Sequence, residues 1–133
     1  MQTLQITRLS DAGDSRGSSF TAPAASLEFL GALNDMHVAE ILPGAIRGNH
    51  FHQRRREVLC IRYAGDWSFH WDSGPNTEVR SQRFSGSGAV LIEIPPSVSH
   101  AVRNDGIATI HMVGLSDIPY DPAQPDSYAR PVV

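Results

Sequence analysis

The chain has 133 residues, of which 41% are hydrophobic, and this length suits one domain with a single modest core. Its eleven basic residues face fourteen acidic ones, and the net charge of −3 argues against nucleic acid or an anionic membrane as a partner. Every basic residue is an arginine, so the chain has no lysine for a Schiff base or a P-loop. Neither a signal peptide nor a long apolar run is evident, and we expect a cytoplasmic location.

Short runs rich in β-branched, leucine and aromatic residues recur between eleven glycines and nine prolines, which is typical of strands separated by turns. In chain order, the predicted strands are Thr3–Leu9, Ser26–Leu30, His37–Leu42, Gly48–His52, Glu57–Tyr63, Asp66–Trp71, Thr77–Phe84, Ala89–Ile94, Ser99–Arg103 and Thr109–Leu115. The best helical segment, around residues 22–33, is interrupted by Pro23 and Gly31. Together these patterns predict an all-β sandwich or barrel with little helix.

The end of the chain differs in composition from the rest. Prolines recur through residues 117–133, at positions 119, 122, 125 and 131. Because proline cannot donate a ladder hydrogen bond, this segment is predicted to be an extended arm rather than a central strand. We expect residues 1–133 to form a single domain that includes the arm.

Two histidines are spaced as neighbours on one side of a strand. His50 and His52 lie two positions apart in a predicted strand, so their imidazoles are expected on the same face. Glu57 follows after the polar run 53–56, which suits a turn that returns the carboxylate to the histidines. The three side chains therefore predict half of a metal coordination shell.

Two stretches between residues 44 and 104 resemble the two sequence motifs of the cupin superfamily. The first reads Gly44-x5-His50-x-His52-x4-Glu57-x7-Gly65, and the second reads Gly88-x6-Pro95-x-Ser97-x2-His100-x3-Asn104. The spacer before Gly65 is one residue longer than in the family, and Ser97 stands where the family usually has glycine.

The resemblance implies a small antiparallel jelly-roll barrel that binds one divalent transition metal. The implied ligands are His50, His52, Glu57 and His100, a set that suits Zn, Fe, Mn or Ni without selecting one of them. Two alternatives remain open at this point. The histidines could act without metal as acid–base or substrate-contacting groups, or they could be structural.

A narrower resemblance links the chain to cupin-type nucleotide-sugar epimerases and ketoisomerases. Asp14-Ser15-Arg16-Gly17 looks like their D-x-R-G stretch, and Arg47-Gly48-Asn49-His50 looks like their R-G-x-H stretch. The segment 119–128 is similar to the end of the C-terminal cupin domain of capsular-polysaccharide epimerase–reductases. This likeness implies a homodimer that epimerises or isomerises a nucleotide-linked 4-keto-deoxyhexose in surface-polysaccharide or glycoside biosynthesis.

Two other functions suit the same motifs. One is a metal cupin with different small-molecule chemistry, including dioxygenase chemistry. The other is a cupin that binds a sugar or small anion without turnover.

The epimerase or isomerase reading requires an electrophile and a base. The metal would polarise the ketone oxygen, and His50 is a candidate for catalysis as well as for ligation. The candidates for a separate acid–base group are His37, Tyr63 and His111. Tyr63 shares strand parity with Glu57 and is expected to face the cavity, although a core or rim position is the alternative.

Arginine suits a phosphate-bearing substrate because its planar fork donates two parallel hydrogen bonds. The resemblance implies that Arg47 and Arg16 bind substrate, while a structural ion pair is the alternative for each. The run Arg54–Arg56 is expected to be a solvated loop or, alternatively, a positive rim of the pocket.

Overall fold

The computed structural model describes residues 3–133. Its elements, in chain order, are β1 (Gln5–Arg8), α1 (Ala24–Leu30), β2 (Asp35–Ile41), β3 (Ile46–Phe51), β4 (Glu57–Ala64), β5 (Trp67–Trp71), β6 (Arg80–Phe84), β7 (Ser87–Ile94), β8 (His100–Asn104), β9 (Ile110–Ser116) and β10 (Tyr128–Ala129). The described strands form two five-stranded antiparallel sheets, in the orders β1-β7-β4-β9-β2 and β10-β3-β8-β5-β6. Within residues 3–133, no helix has the length and apolar character that crossing a bilayer requires.

The core lies between the two sheets. Ile61 and Ile92 from the first sheet and Phe69 from the second are fully buried, and Trp67 is 1% exposed. Along β9, buried positions alternate with more exposed ones, which is the pattern of a strand with one face on the core between two sheets. The predicted all-β jelly-roll class is confirmed.

One predicted strand is wrong, because Ser26–Leu30 belongs to the helix α1. Pro23 caps its start with an extended backbone, and Gly31 ends it at a φ of 79°. Ser26 and Leu30 are buried on one helical face, where Leu30 packs against Val58 and Leu91. The residues that interrupt the helical pattern therefore mark the ends of a one-to-two-turn helix.

The C-terminal arm, residues 117–133, folds back along the second sheet. Its β10 pairs with β3 at the sheet edge, where a strand flanked by proline can lie. The Tyr128 ring stacks on Phe51, with centroids 5.4 Å apart. Further along, Arg130 makes a bidentate pair with Asp72 at 2.7 and 2.8 Å. The arm is thus fixed to the barrel beside the histidine-bearing strand.

Candidate metal centre

Four side chains from three places in the chain converge at one point. His50 lies in β3, His52 follows that strand, Glu57 opens β4 and His100 opens β8. One potential ligand atom from each of the four residues lies within 4.8 Å of the others. The centroid of the His50 imidazole lies 4.9 Å from that of His52 and 5.0 Å from that of His100.

A bulge in β3 brings His50 opposite His100. The pairing of β3 with β8 shifts register between Gly48 and His50, and Asn49 has a φ of 58°. Gly48 has a φ of 114°, and a Cβ there would lie 2.5 Å from the carbonyl oxygen of His100. Only glycine allows the two strands to approach this closely.

Backbone carbonyls orient two of the imidazoles. Nδ1 of His52 contacts the carbonyl oxygen of Asp126 at 2.6 Å, and Nδ1 of His100 contacts that of Val98 at 3.1 Å. Each Nδ1 must carry the proton to donate to a carbonyl, so each Nε2 is directed toward Glu57. The same arrangement of ring nitrogens is typical of metal-binding histidines.

Two of the atoms facing the centre lack hydrogen-bond partners among the described residues. Nε2 of His52 and Oε1 of Glu57 are 2.8 Å apart but are not aligned for a hydrogen bond, and both are buried. Nε2 of His100 lies 3.3 Å from the same oxygen. Lone pairs this close repel unless a positive charge lies among them, and three imidazoles with one carboxylate suit a divalent transition metal. The residues present therefore fit the predicted cation.

Burial and proximity perturb these groups in different directions. Burial and the neighbouring His100 and His52 lower the pKa of His50 to about 4. Burial disfavours the charged form of Glu57 and so raises its pKa. The contacts with His100 and His52 have the larger effect and hold the pKa of Glu57 well below its usual value. His50 is therefore neutral and Glu57 is charged near neutral pH, which are the forms that ligate metal.

The four residues form the inner wall of a cavity of about 780 Å³. Its lining also includes His37 from β2, a candidate acid–base group, and Arg47 from β3, a candidate substrate-binding residue. The His37 ring lies against Gly114 of β9, where an added Cβ would be 2.2 Å from Cε1 of the imidazole. Arg47 is exposed and its Nε donates to the carbonyl of Glu40 at 2.7 Å.

Three other candidates lie outside this cavity. Tyr63 is 5% exposed and packs in the core against Trp67 and Phe84, so it does not face the cavity and has the core position that was the alternative. Strand parity predicts the face of the sheet on which a side chain lies, but it does not predict whether aromatic rings from other strands fill the space in front of that face. His111 is exposed on β9, and Arg16 is exposed in the loop before α1, where it pairs with Asp14 at 2.7 Å.

Two further residues support the site, and the sequence analysis named neither of them individually as a site residue. Asp126, on the arm, is 4% exposed, and its carboxylate accepts backbone hydrogen bonds from residues 53, 54 and 55 at 2.9–3.1 Å. Arg55 is 7% exposed and lines the cavity, so it is neither in a solvated loop nor on an outer rim. The likeness of residues 119–128 to the end of a family domain was the available signal for Asp126.

A double-sheet antiparallel barrel with a converging His/His/Glu/His cluster defines the cupin class. The chain belongs to the family described as the polysaccharide biosynthesis C-terminal domain, whose profile matches residues 13–128. No curated protein matches the chain by sequence.

Solved structures share this architecture. The capsular polysaccharide assembling protein CapF from Staphylococcus aureus matches with a TM-score of 0.67 and 24% identity over 93% of this chain. This chain spans 34% of the length of CapF. A dTDP sugar isomerase from Desulfovibrio desulfuricans G20 matches with a TM-score of 0.74 and 15% identity, covering 97% of this chain and 84% of that one.

A third similar structure is NovW, a 4-keto-6-deoxy sugar epimerase from the novobiocin biosynthetic gene cluster of Streptomyces spheroides. It matches with a TM-score of 0.69 and 16% identity, covering 90% of this chain and 66% of that one. At these identities the likenesses establish the fold alone.

Proposed function

We propose that this protein is a metal-dependent epimerase or isomerase of a nucleotide-linked 4-keto-deoxyhexose. The observation that carries the proposal is the convergence of His50, His52, Glu57 and His100 on one cavity. The cavity volume of about 780 Å³ falls in the range of small-molecule sites. The family's part in polysaccharide biosynthesis, and similar structures that are a dTDP sugar isomerase and a 4-keto-6-deoxy sugar epimerase, support this substrate class.

The reaction requires transfer of a proton at the carbon next to the ketone. A divalent ion held by the four ligands would supply Lewis-acid polarisation of the ketone oxygen. His37 lines the cavity, and its imidazole is the group we assign to take up the carbon-bound proton and return it to the substrate. Return of the proton by His37 to the neighbouring carbon gives isomerisation, whereas epimerisation needs a second donor that delivers a proton to the opposite face of the same carbon. Gly114 leaves the room in which the His37 ring lies.

The cavity wall also sets how the substrate is held. Arg47 lines the cavity, and we assign its guanidinium to the phosphate end of the substrate. Tyr120 and Ser127 bring hydroxyl groups from the arm to the same cavity, where they can contact sugar hydroxyls. These positions leave Glu57 and the three imidazoles for the reacting end.

Solvent-deuterium exchange tests this function directly. TDP- and UDP-linked 4-keto-6-deoxyhexoses are incubated in D2O with metal-loaded protein, and incorporation next to the ketone is followed by NMR. We expect incorporation with at least one sugar, and a loss of about 10²-fold or more in His37→Gln. His111→Gln, an exposed histidine on the same sheet, is the matched comparison and should exchange at the wild-type rate.

Other outcomes of this experiment point elsewhere. No incorporation with any of these sugars contradicts the proposal. Tight binding of the sugars without exchange favours a binding protein, and iron-dependent oxygen consumption favours dioxygenase chemistry.

A homodimer is the second part of the proposal. The strand β2 lies at a sheet edge, and its Met36 and Val38 side chains are 63% and 70% exposed. Exposed apolar edge strands invite pairing with another chain. Light scattering should give twice the chain mass for wild type and a monomer for Val38→Arg; a monomeric wild type would contradict the dimer.

A further inference from the structure

Arg55 places a buried positive charge in the cavity wall. The residue is only 7% exposed and lines the same cavity as the four candidate ligands. Its backbone N–H donates to the carboxylate of Asp126 at 3.1 Å, which fixes the base of the side chain. The guanidinium is therefore held beside the arm and is not free to swing into solvent.

This guanidinium has no acidic partner among residues 3–133. Its one side-chain hydrogen bond in this part of the chain runs to the carbonyl of Pro125 at 3.4 Å, and Nε is buried without a partner. Arg16, Arg103 and Arg130 each pair with an aspartate instead. A buried charge is unfavourable unless it is paired, so Arg55 lacks the compensation that the other three have.

The ligand set that shares the cavity with Arg55 carries little negative charge. Glu57 is the single acid of the ligand set, so it neutralises only half the charge of a divalent ion. An anionic group entering the cavity would compensate both the remaining metal charge and Arg55.

We propose that Arg55 forms an oxyanion subsite that takes a phosphate or carboxylate group of the ligand inside the cavity. This subsite deepens the proposed function, on which it rests, by adding Arg55 as a second anion contact inside the cavity, alongside the phosphate contact proposed for Arg47. A guanidinium carries five N–H donors in a planar fork, and both phosphate and carboxylate accept two parallel hydrogen bonds from it. Arg47, which is exposed and whose Nε donates to the carbonyl of Glu40, keeps the phosphate contact proposed for it nearer to solvent.

Calorimetric titration tests the subsite. UDP, TDP, inorganic phosphate and glucuronate are each titrated into wild type, Arg55→Gln, Arg55→Lys and Arg54→Gln. We expect at least one anion to bind wild type with one site per chain, and Arg55→Gln to weaken it by about tenfold or more. Arg55→Lys keeps the charge and should fall between the two. Arg54→Gln is the matched control, because Arg54 is the exposed neighbour in the same loop, and it should bind like wild type.

The anions also distinguish the two chemical sources. Preference for UDP, TDP or phosphate assigns a phosphate group to Arg55, and preference for glucuronate assigns a sugar carboxylate. The subsite is overturned if no anion binds wild type, if Arg55→Gln binds as tightly as wild type, or if Arg54→Gln loses as much affinity.

A melting experiment guards against loss of folding. The anion should raise the melting temperature of wild type and leave that of Arg55→Gln unchanged, while both proteins melt cooperatively. If Arg55→Gln does not fold, Arg55→Lys replaces it in this experiment. We expect the anion to raise the melting temperature of Arg55→Lys less than that of wild type, and an equal rise overturns the proposal.

Failure of the subsite and failure of the proposed function give different results. Anion binding that depends on Arg55, without deuterium exchange, would support the subsite and contradict the proposed catalytic activity. Deuterium exchange by Arg55→Gln with an unchanged KM would support the proposed catalytic activity and contradict the subsite.

Discussion

Two buried histidines of the candidate metal centre are oriented by different regions of the molecule. His100 uses the carbonyl of Val98, two residues earlier in its own turn, whereas His52 uses the carbonyl of Asp126, 74 residues later. The first contact forms with the barrel itself, and the second forms only when the C-terminal arm folds back. The site therefore has a local half, in which His100 is oriented by a residue close to it in the chain, and a long-range half, in which His52 is oriented by the arm.

Removing a ligand from either half should have the largest effect. His52→Ala or His100→Ala each deletes one buried imidazole of the set, so affinity for Zn²⁺ or Mn²⁺ should fall more than about 100-fold in both. Competition with a chromophoric chelator measures this, with His111→Ala as the exposed control. Wild-type affinity in either ligand variant would separate that histidine from the metal site.

Loosening the arm next to the site should affect the long-range half alone. Asp126→Ala removes the acceptor of three backbone N–H groups and places alanine at a φ of 49°. We expect about 10- to 100-fold weaker metal binding and about 2–3 kcal/mol lower unfolding free energy. Chelator competition and urea unfolding provide the measurements.

Asp126→Asn sharpens this comparison. Asparagine tolerates a positive φ and keeps one acceptor oxygen, so its losses should be clearly smaller than those of Asp126→Ala. Asp121→Ala, an exposed aspartate on the same arm, should behave like wild type in both assays. Equal losses in Asp121→Ala would mean that the arm acts through its general folding rather than through Asp126.

A substitution farther along the arm should mainly affect stability. Arg130→Met breaks the pair with Asp72, whose side chain is 5% exposed, and also removes the guanidinium stacked 4.2 Å above the Phe51 ring. We expect about 2–4 kcal/mol lower unfolding free energy, because Asp72 is left buried and unpaired. Metal affinity should fall less than in Asp126→Ala, since the Asp126 contacts remain. A larger fall in Arg130→Met would place the decisive arm contact at Arg130.

A substitution at Gly114 of β9, beside His37, is expected to change metal binding the least. Gly114→Ala would put a methyl group 2.2 Å from the His37 ring, which must then move. We expect metal affinity within about twofold of wild type and deuterium exchange about tenfold slower. Unchanged exchange would remove His37 as the proton-transfer group.

The sequence predicted the residues of the candidate metal centre. Strand alternation predicted His50 and His52 on one side, and the resemblance to the family's motifs implied Glu57 and His100 as their partners; the structure brings the four together. It also predicted nine strands among the described residues near their observed positions, because turn residues separate them.

Contacts that depend on how distant segments pack were not predictable in the same way. The burial of Arg55 and the role of Asp126 arise from the return of the arm, and no periodic pattern encodes that contact. Tyr63 has the expected strand parity but lies where the core is filled by aromatic rings. The helix α1 was hidden because it is short and its bounding residues are the ones that interrupt a helical pattern.

X-ray absorption at the metal edge of the zinc- or manganese-loaded protein shows which atoms surround the bound ion. We expect one ion per chain with three imidazole nitrogens and one carboxylate oxygen at about 2.0–2.2 Å, and loss of the imidazole scattering in a His50→Ala, His52→Ala, His100→Ala variant. An ion surrounded only by water oxygens, or the same spectrum in that variant, would contradict this expectation.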